Sequence, residues 1–191
     1  MHKIIKSSDF ISTQWSGGIT NQMYITPSDT SIVNQDFLVR ISTATINTLT
    51  SEFTKFPFHN RFLSVLDGEI EFITQNQPVK KITEYEFVFF DGASITRSNS
   101  TSKVVDFNII FKKSLQLNLQ CVKGSETNNL NFNSIKEKFI FVLNGTIIFN
   151  QITLNKHELL ILENIKESIL LELSKDAIIF FFDLTTTHST N

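Results

Sequence analysis

Two segments of the chain carry polar side chains at alternating positions within otherwise apolar runs. Arg40 and Ser42 stand two apart in one run, and Asp106 and Asn108 stand two apart in another. Successive side chains of a β-strand point to opposite faces, so each pair shares one face of its strand. A charged group among apolar neighbours is costly unless it is paired or faces water. The pattern leaves two alternatives, an internal Arg40–Asp106 salt bridge or a water-filled binding pocket.

An internal repeat indicates which elements position these residues. The segment 62–72, FLSVLDGEIEF, aligns with 139–149, FIFVLNGTIIF, at a constant offset of 77, and six of the eleven positions are identical. Each copy reads as a strand, an Asp-Gly or Asn-Gly turn and a second strand, and these dipeptides suit the positive φ angles of a tight hairpin. Apolar runs of strand length follow in the same order in both halves, which predicts an all-β protein built from duplicated units. Chance similarity between two hairpins is the alternative.

The hairpin pattern is similar to the core of the cupin double-stranded β-helix. We therefore predict a bicupin, an all-β protein of two jelly-roll barrels. The N-terminal barrel is expected over residues 1–120, with the option of exchanging its N-terminal strand with the C-terminal barrel over 121–191. The polar segment 121–134 is the predicted linker, and a single helical turn is expected within 134–138.

The positions at which metal-binding cupins carry their ligands hold other residue types here. Such cupins use histidines and a glutamate, because imidazole and carboxylate groups suit zinc and iron. The glutamate position, seven residues before the turn glycine, is Arg61 in the first half and Lys138 in the second. No pair among the four histidines shows ligand spacing; they are His2, His59, His157 and His188. We predict no metal and no cofactor, and we expect the planar, permanently charged fork of Arg61 to face an anion.

Several motifs together resemble the HutD/Ves family of bicupins. They are Trp-Ser-Gly-Gly-Ile-Thr at 15–20, Val-Arg-Ile-Ser-Thr-Ala at 39–44, Phe-Pro at 56–57 followed by Arg61, Leu-Asp-Gly at 66–68 and Val-Asp-Phe-Asn-Ile at 105–109. The resemblance implies a bicupin tied to histidine utilisation or, in the Ves branch, to stress responses. It implies binding of a small acidic metabolite, such as formylglutamate, urocanate or formate, and moderation of catabolic flux. The matching positions, which we predict to bind the ligand, are Thr20, Arg40, Ser42, Arg61, Asp106 and Asn108.

Four residues depart from the family pattern. Asn21 and Gln22 stand where an Arg-Glu pair is usual, and Phe58 and Asn60 stand where a glycine and an acidic residue are common. Amides in place of charges, together with the bulk of Phe58, are expected to reshape the mouth of the pocket. Trp15 is either a core anchor or a platform for the ligand.

The composition argues against several classes of function. The formal net charge is −2 and the pI about 6.1, so the concentrated basic patch of nucleic-acid binders is not expected. The strongly apolar run 177–182 is too short to span a bilayer, so no membrane partner is expected. The single cysteine, Cys121, excludes an internal disulfide. The N-terminal segment lacks a secretory hydrophobic region, which makes the cytoplasm the expected location.

Three functions remain as alternatives. The first is a binding module for a small carboxylate metabolite, with Arg40 and Arg61 as clamps and no catalytic residue. The second is a metal-independent enzyme acting on a small carboxylate, with Asp106 or His59 as the general acid or base. The third is a dimerising scaffold, a homodimer in which the run 177–182 forms an interface strand.

Overall fold

The computed structural model describes residues 1–127, 129–134, 137–163 and 165–186. In these ranges the chain forms β-strands joined by turns, with one 3-10 helix, Ser7–Asp9, and no α-helix. The strands are, in chain order, β1 (His2–Ile5), β2 (Ile11–Trp15), β3 (Gly18–Thr26), β4 (Val39–Ile46), β5 (Thr50–Glu52), β6 (His59–Asp67), β7 (Ile70–Thr74), β8 (Lys80–Ile82), β9 (Phe87–Asp91), β10 (Thr96–Asn99), β11 (Val104–Lys112), β12 (Leu115–Lys123), β13 (Asn129–Ser134), β14 (Lys138–Asn144), β15 (Ile147–Phe149), β16 (Ile152–Leu154), β17 (Leu159–Leu162), β18 (Ile165–Leu173) and β19 (Ile178–Thr186).

The chain divides into two compact units. The first unit is Phe10–Lys113, and the second unit combines Met1–Asp9 with the residues from Ser114 onward. This corrects the predicted division between residues 120 and 121, because β12 crosses that point and pairs with β19 along its whole length, from Leu115–Thr186 to Lys123–Ile178. It also corrects the predicted linker, since β12 and β13 occupy most of the segment 121–134. Residues 135 and 136 of the predicted helical turn, and His188, lie outside the described residues.

The first unit is built from two antiparallel sheets. A six-stranded sheet has the order β2-β3-β4-β11-β6-β9, and a four-stranded sheet has the order β5-β10-β7-β8. Both sheets contribute to one apolar core, with Ile46, Leu63 and Val104 from the larger sheet and Phe72 and Ile82 from the smaller one. Alternate residues of β6 (Leu63 and Val65) and of β7 (Ile70 and Phe72) enter this core, as expected when two sheets pack face to face.

The second unit repeats this plan. Its larger sheet has the order β1-β17-β14-β19-β12, and its smaller sheet has the order β13-β18-β15-β16. The N-terminal strand β1 belongs here, because it pairs with β17 from His2–Leu162 to Ile5–Leu159. Its core also draws on both sheets, including Val142 and Ile179 from the larger and Ile147 from the smaller.

The repeat extends to backbone detail. The turn glycines Gly68 and Gly145 have φ angles of 86° and 69°, so both occupy the left-handed region that the Asp-Gly and Asn-Gly motifs predict. Tyr85 in the first unit and His157 in the second also have similar positive φ angles, 65° and 68°. The backbone N–H of each donates to the preceding hairpin at 2.7 Å, from Tyr85 to Val65 and from His157 to Val142. The predicted all-β bicupin fold, with two cupin-type barrels, is thereby confirmed.

The described residues contain no helix of the length and hydropathy needed to cross a bilayer. The same part of the chain holds no group of three or more His, Cys, Asp or Glu side chains arranged to bind a metal ion. Cys121 is exposed and free.

Replacing the second turn glycine is expected to destabilise the protein. A Cβ at Gly145 would lie 2.7 Å from the backbone of Ala177, and φ is positive there. Gly145→Ala should therefore lower the free energy of unfolding by at least about 1–2 kcal/mol, the usual cost of the left-handed region. Gly68→Ala should cost less, since its nearest new contact is at 3.0 Å. Urea denaturation of both variants measures this, and equal losses would contradict the role of the Ala177 contact.

Candidate functional site

An open cavity of about 270 Å³ lies within the first unit. All six residues predicted from the sequence line it, namely Thr20, Arg40, Ser42, Arg61, Asp106 and Asn108. Its volume is close to the lower end of the range for small-molecule pockets, about 300 Å³. Thr13, Ile32 and Glu52 are lining residues that are also exposed, and they mark the side that faces solvent.

Strand register explains why these side chains meet. β11 lies between β4 and β6, so Ile110 pairs with Arg40 on one side and with Arg61 on the other. The two arginines therefore belong to one row across three strands, with Cα atoms about 10 Å apart. Asn108 pairs with Ser42 in the next row on the same face. The alternation visible in the sequence thus becomes a polar floor for the cavity.

The Arg61 guanidinium is held in place by two oxygen atoms. Its Nε and Nη2 donate to Oδ1 of Asn108 at 3.3 and 2.9 Å, and its Nη1 donates to the carbonyl oxygen of Thr54 at 3.2 Å. Both acceptors are neutral, so the positive charge of Arg61 is oriented but not neutralised. Asn108 therefore acts as a positioning residue for Arg61.

Three aromatic rings surround the same guanidinium. Its Cζ lies 4.9 Å from the ring centroid of Phe53, 5.7 Å from that of Phe56 and 5.1 Å from that of Phe90. Cation–π contacts of this kind stabilise a cation that has lost much of its hydration. The Phe-rich composition around the Phe-Pro motif therefore helps to retain the charge on the buried arginine.

Arg40 is positioned by its neighbours on β3 and β4. Its Nε donates to Oε1 of Gln22 at 2.8 Å, and its Nη1 donates to Oγ of Ser42 at 3.2 Å. A β-bulge at Met23 shifts the register between Gln22 and Tyr24, so Gln22 pairs with Ser42 and lies beside the arginine. Gln22 is thus a site residue that the prediction missed, although its departure from the family pattern had marked it.

Neither arginine forms a salt bridge with Asp106. The salt bridges of the described residues join Lys81 to Glu69, Lys113 to Asp91, Lys123 to Glu126 and Lys138 to Asp183. The alternative of an internal Arg40–Asp106 ion pair is therefore wrong. Burial lowers the pKa of Arg40 and of Arg61 to about 10, so both remain protonated at neutral pH.

The carboxyl group of Asp106 is buried, and the side chains of its two cross-strand neighbours are apolar. It is 2% exposed, and its cross-strand neighbours are Ala44 on β4 and Val65 on β6. Burial raises its pKa to about 6, and the positive charge of Arg61 partly offsets that increase. Its Oδ1 is buried without a hydrogen-bond partner. Two cations and one carboxyl group therefore share the interior, and the remaining charged lining residue, Glu52, is exposed.

Trp15 has the packing expected of a core anchor, and its role as a platform for the ligand stays a prediction. It packs against the core of the first unit and also lines the cavity. Gly17 makes room for the indole, since a Cβ at that position would lie 2.1 Å from Cζ3 of Trp15. The indole Nε1 is buried without a hydrogen-bond partner. The first glycine of the Trp-Ser-Gly-Gly motif is therefore explained by packing.

Three residues that the sequence analysis singled out, Phe58, His59 and Asn60, do not line the cavity. Phe58 is 67% exposed and lies under the ammonium group of Lys112 at 5.5 Å, and Asn60 is not a lining residue. The expectation that Phe58 and Asn60 reshape the pocket mouth is thus not supported by their positions. His59 is fully buried, and its Nε2 donates to the carbonyl oxygen of Phe37 at 2.9 Å. It therefore joins the start of β6 to the segment before β4.

At the position that corresponds to Arg61, the second unit has a cation that forms a salt bridge. β14 and β19 pair through Phe139–Phe182 as β6 and β11 pair through Phe62–Ile109, so Lys138 takes the place of Arg61 and Asp183 that of Ile110. The Lys138 ammonium contacts the Asp183 carboxylate, and both side chains are largely buried, at 15% and 13% exposure. Nδ2 of Asn118 also donates to Asp183 at 2.8 Å. This unit satisfies its own cation.

Comparisons with known proteins agree with this geometry. The family model of HutD matches residues 7–181. The chain belongs to the HutD family. A comparison with curated proteins found no match. The resemblance drawn from the Trp-Ser-Gly-Gly, Arg-Ile-Ser and Asp-Phe-Asn motifs is thus confirmed.

Solved structures show the same fold. HutD from Pseudomonas fluorescens SBW25 has a TM-score of 0.81 and 18% identity, over 98% of this chain and 100% of that chain. A conserved protein of unknown function from Pseudomonas aeruginosa PAO1 has a TM-score of 0.78 and 18% identity, over 97% and 100%. A bacterial pirin from Escherichia coli, in complex with nickel(II), has a TM-score of 0.69 and 13% identity, over 98% and 100%.

Asp106→Asn is expected to change how stability depends on pH. The folded chain raises the pKa of Asp106 from 3.8 to about 6, so its proton is bound more tightly in the folded than in the unfolded state. That contribution is fully present below about pH 4 and is lost as the pH rises through about 6. The unfolding free energy of the wild type relative to D106N should therefore fall by about 3 kcal/mol between about pH 4 and pH 7. Urea titrations at several pH values measure it, and a pH-independent difference would contradict the buried carboxyl group.

Removing the cation of the second unit should destabilise this HutD-family protein. Lys138→Met leaves the largely buried Asp183 carboxylate without its ion pair, which should cost about 1–3 kcal/mol of unfolding free energy. The double variant K138M/D183L should recover most of that loss, since it replaces both charges by apolar groups. Chemical denaturation measures both, and a K138M variant as stable as the wild type would argue against the pairing.

Proposed function

We propose that this HutD-family protein binds a small carboxylate metabolite in the cavity of its first unit, with Arg61 and Arg40 as the anion-binding groups. The observation that supports this most is the absence of a salt-bridge partner for both cations within the described residues. Two buried guanidiniums in one cavity repel each other, and the charge of Arg40 contributes to lowering the pKa of Arg61. An anionic guest relieves that repulsion.

Hydrogen-bond donors remain available on both arginines. A guanidinium has five N–H groups. Arg61 uses the one on Nε and one each on Nη1 and Nη2, which leaves one N–H on Nη1 and one on Nη2. That remaining pair matches the two oxygens of a carboxylate. Arg40 keeps one N–H on Nη1 and both on Nη2.

The family suggests which carboxylates are relevant. By resemblance, we propose that the guest is an acidic metabolite of histidine degradation, such as formylglutamate, urocanate or formate. We further propose that the protein acts in the cytoplasm, where binding senses or buffers the metabolite and moderates the pathway. No cofactor takes part in this function.

A metal-independent enzyme is the second candidate, and one observation favours it. Asp106 lines the cavity and has its pKa raised to about 6 by burial, close to the value that suits a general acid or base near neutral pH. His59, the other candidate from the sequence, is buried against Phe37 and is not a lining residue. Turnover of formylglutamate or urocanate by the wild type, lost in D106N, would support this alternative.

Arg61→Met tests the binding function. Methionine is apolar and flexible, so it fills the space among the Phe rings but cannot bind a carboxylate. Loss of a charge-assisted bidentate contact should weaken binding at least tenfold, equivalent to about 1.4 kcal/mol. Isothermal titration calorimetry with formylglutamate, urocanate and formate measures this.

Lys138→Met is the matched control, because Lys138 holds the equivalent position in the second unit. It should bind as the wild type does. Undiminished affinity in R61M, or an equal loss in both variants, would overturn the assignment of the site to Arg61.

A further inference from the structure

Asp106 lines the proposed binding cavity, and one oxygen of its carboxyl group is an unsatisfied acceptor. Its Oδ1 has no hydrogen-bond partner, although the residue is 98% buried and lines the cavity. Leaving such an acceptor unpaired costs about 1–3 kcal/mol, and more for a charged group. A group of this kind in a cavity is therefore a candidate for contact with a ligand.

Hydrogen bonding by the Asn108 side chain and the Ala44 backbone lowers the pKa of the Asp106 carboxyl group, but its Oδ1 has no partner among the described residues. The cross-strand neighbours of Asp106, Ala44 and Val65, have apolar side chains. Arg61 donates hydrogen bonds to Asn108 and Thr54, and Arg40 donates to Gln22 and Ser42. The charged groups that share the cavity with Asp106 are Arg40, Arg61 and the exposed Glu52.

Asp106 lies one row away from Asn108, which holds the Arg61 guanidinium, and two rows away from the row that contains Arg40 and Arg61. Asn108 holds the Arg61 guanidinium, and Asp106 stands two residues further along β11 on the same face. Two residues of a strand span about 7 Å. A carboxylate bound to Arg61 and a donor bound to Asp106 would therefore fit within one small molecule.

We propose that the cavity selects carboxylates that also carry an N–H or O–H donor, with Asp106 as the acceptor and Arg61 as the carboxylate fork. This inference rests on the proposed binding function and narrows its ligand class. Amide and imidazole N–H groups satisfy the requirement, whereas formate has no such donor. A site built to accept a hydrogen bond discriminates strongly against analogues without the donor, because its buried acceptor then stays unpaired.

Matched ligand pairs test this selection. Urocanate is compared with 3-(1,3-oxazol-5-yl)acrylate, in which a ring oxygen replaces the imidazole N–H, and formylglutamate with glutarate, which lacks the formamido group. Calorimetry with the wild type should show at least about a tenfold preference for the donor-bearing member of each pair. Equal affinity within both pairs would overturn the inference and leave the carboxylate site standing. Binding of none of the four would overturn the proposed function itself.

Variants of Asp106 identify the acceptor. Asp106→Leu has a similar shape and no acceptor, so the ratio of affinities within each pair should fall to about one. Asp106→Asn keeps an amide oxygen and should retain part of the preference; it also provides a test if the leucine variant fails to fold. Arg61→Met should lose affinity for both members of each pair. A preference that survives undiminished in D106L, or in D106N where D106L does not fold, would show that Asp106 is not the acceptor.

Discussion

The burial of the Arg61 guanidinium is the constraint on which the first unit depends. A buried cation must be solvated by the protein or neutralised, and here only neutral groups contact it. Asn108 and Thr54 supply oxygens, and three phenylalanine rings supply their π-faces. These contacts compensate for lost hydration but leave the charge uncancelled. The arginines of the cavity therefore remain without a salt bridge among the described residues, and Arg61 lies next to an apolar wall.

The two units accommodate an equivalent buried cation in different ways. Both carry a cation seven residues before the turn glycine. In both, the strand that holds the cation pairs with the equivalent antiparallel strand, β11 in the first unit and β19 in the second. In the second unit, Asp183 stands at that neighbouring position and pairs with Lys138. In the first unit the same position is Ile110, which cannot pair with Arg61. The two sites thus differ in the cation, Arg61 against Lys138, and in the residue beside it, Ile110 against Asp183.

The polar side chains around the arginines differ in whether they accept hydrogen bonds from them. Asn108, Ser42 and Gln22 have their oxygens engaged by the arginines, so they set the orientation of the two forks. Asp106 is different, because its Oδ1 has no hydrogen-bond partner among the residues that the structure describes. Residues that resemble one another in the sequence pattern therefore have different roles.

The sequence by itself determined the all-β class, the duplicated barrels and the six polar residues that meet at one cavity. Strand alternation, a local rule, grouped Arg40 with Ser42 and Asp106 with Asn108, and the Asp-Gly and Asn-Gly turns mark each hairpin. Arg61 followed from its position before the turn glycine, and Thr20 from the family resemblance. Only the tertiary structure decided the unit boundary, the partner of β1 and the absence of an Arg40–Asp106 ion pair. It also revealed Gln22 and the carbonyl oxygen of Thr54 as supports. These features depend on strand register, on a bulge at Met23 and on side-chain reach, none of which follows from the order of residues along a single strand.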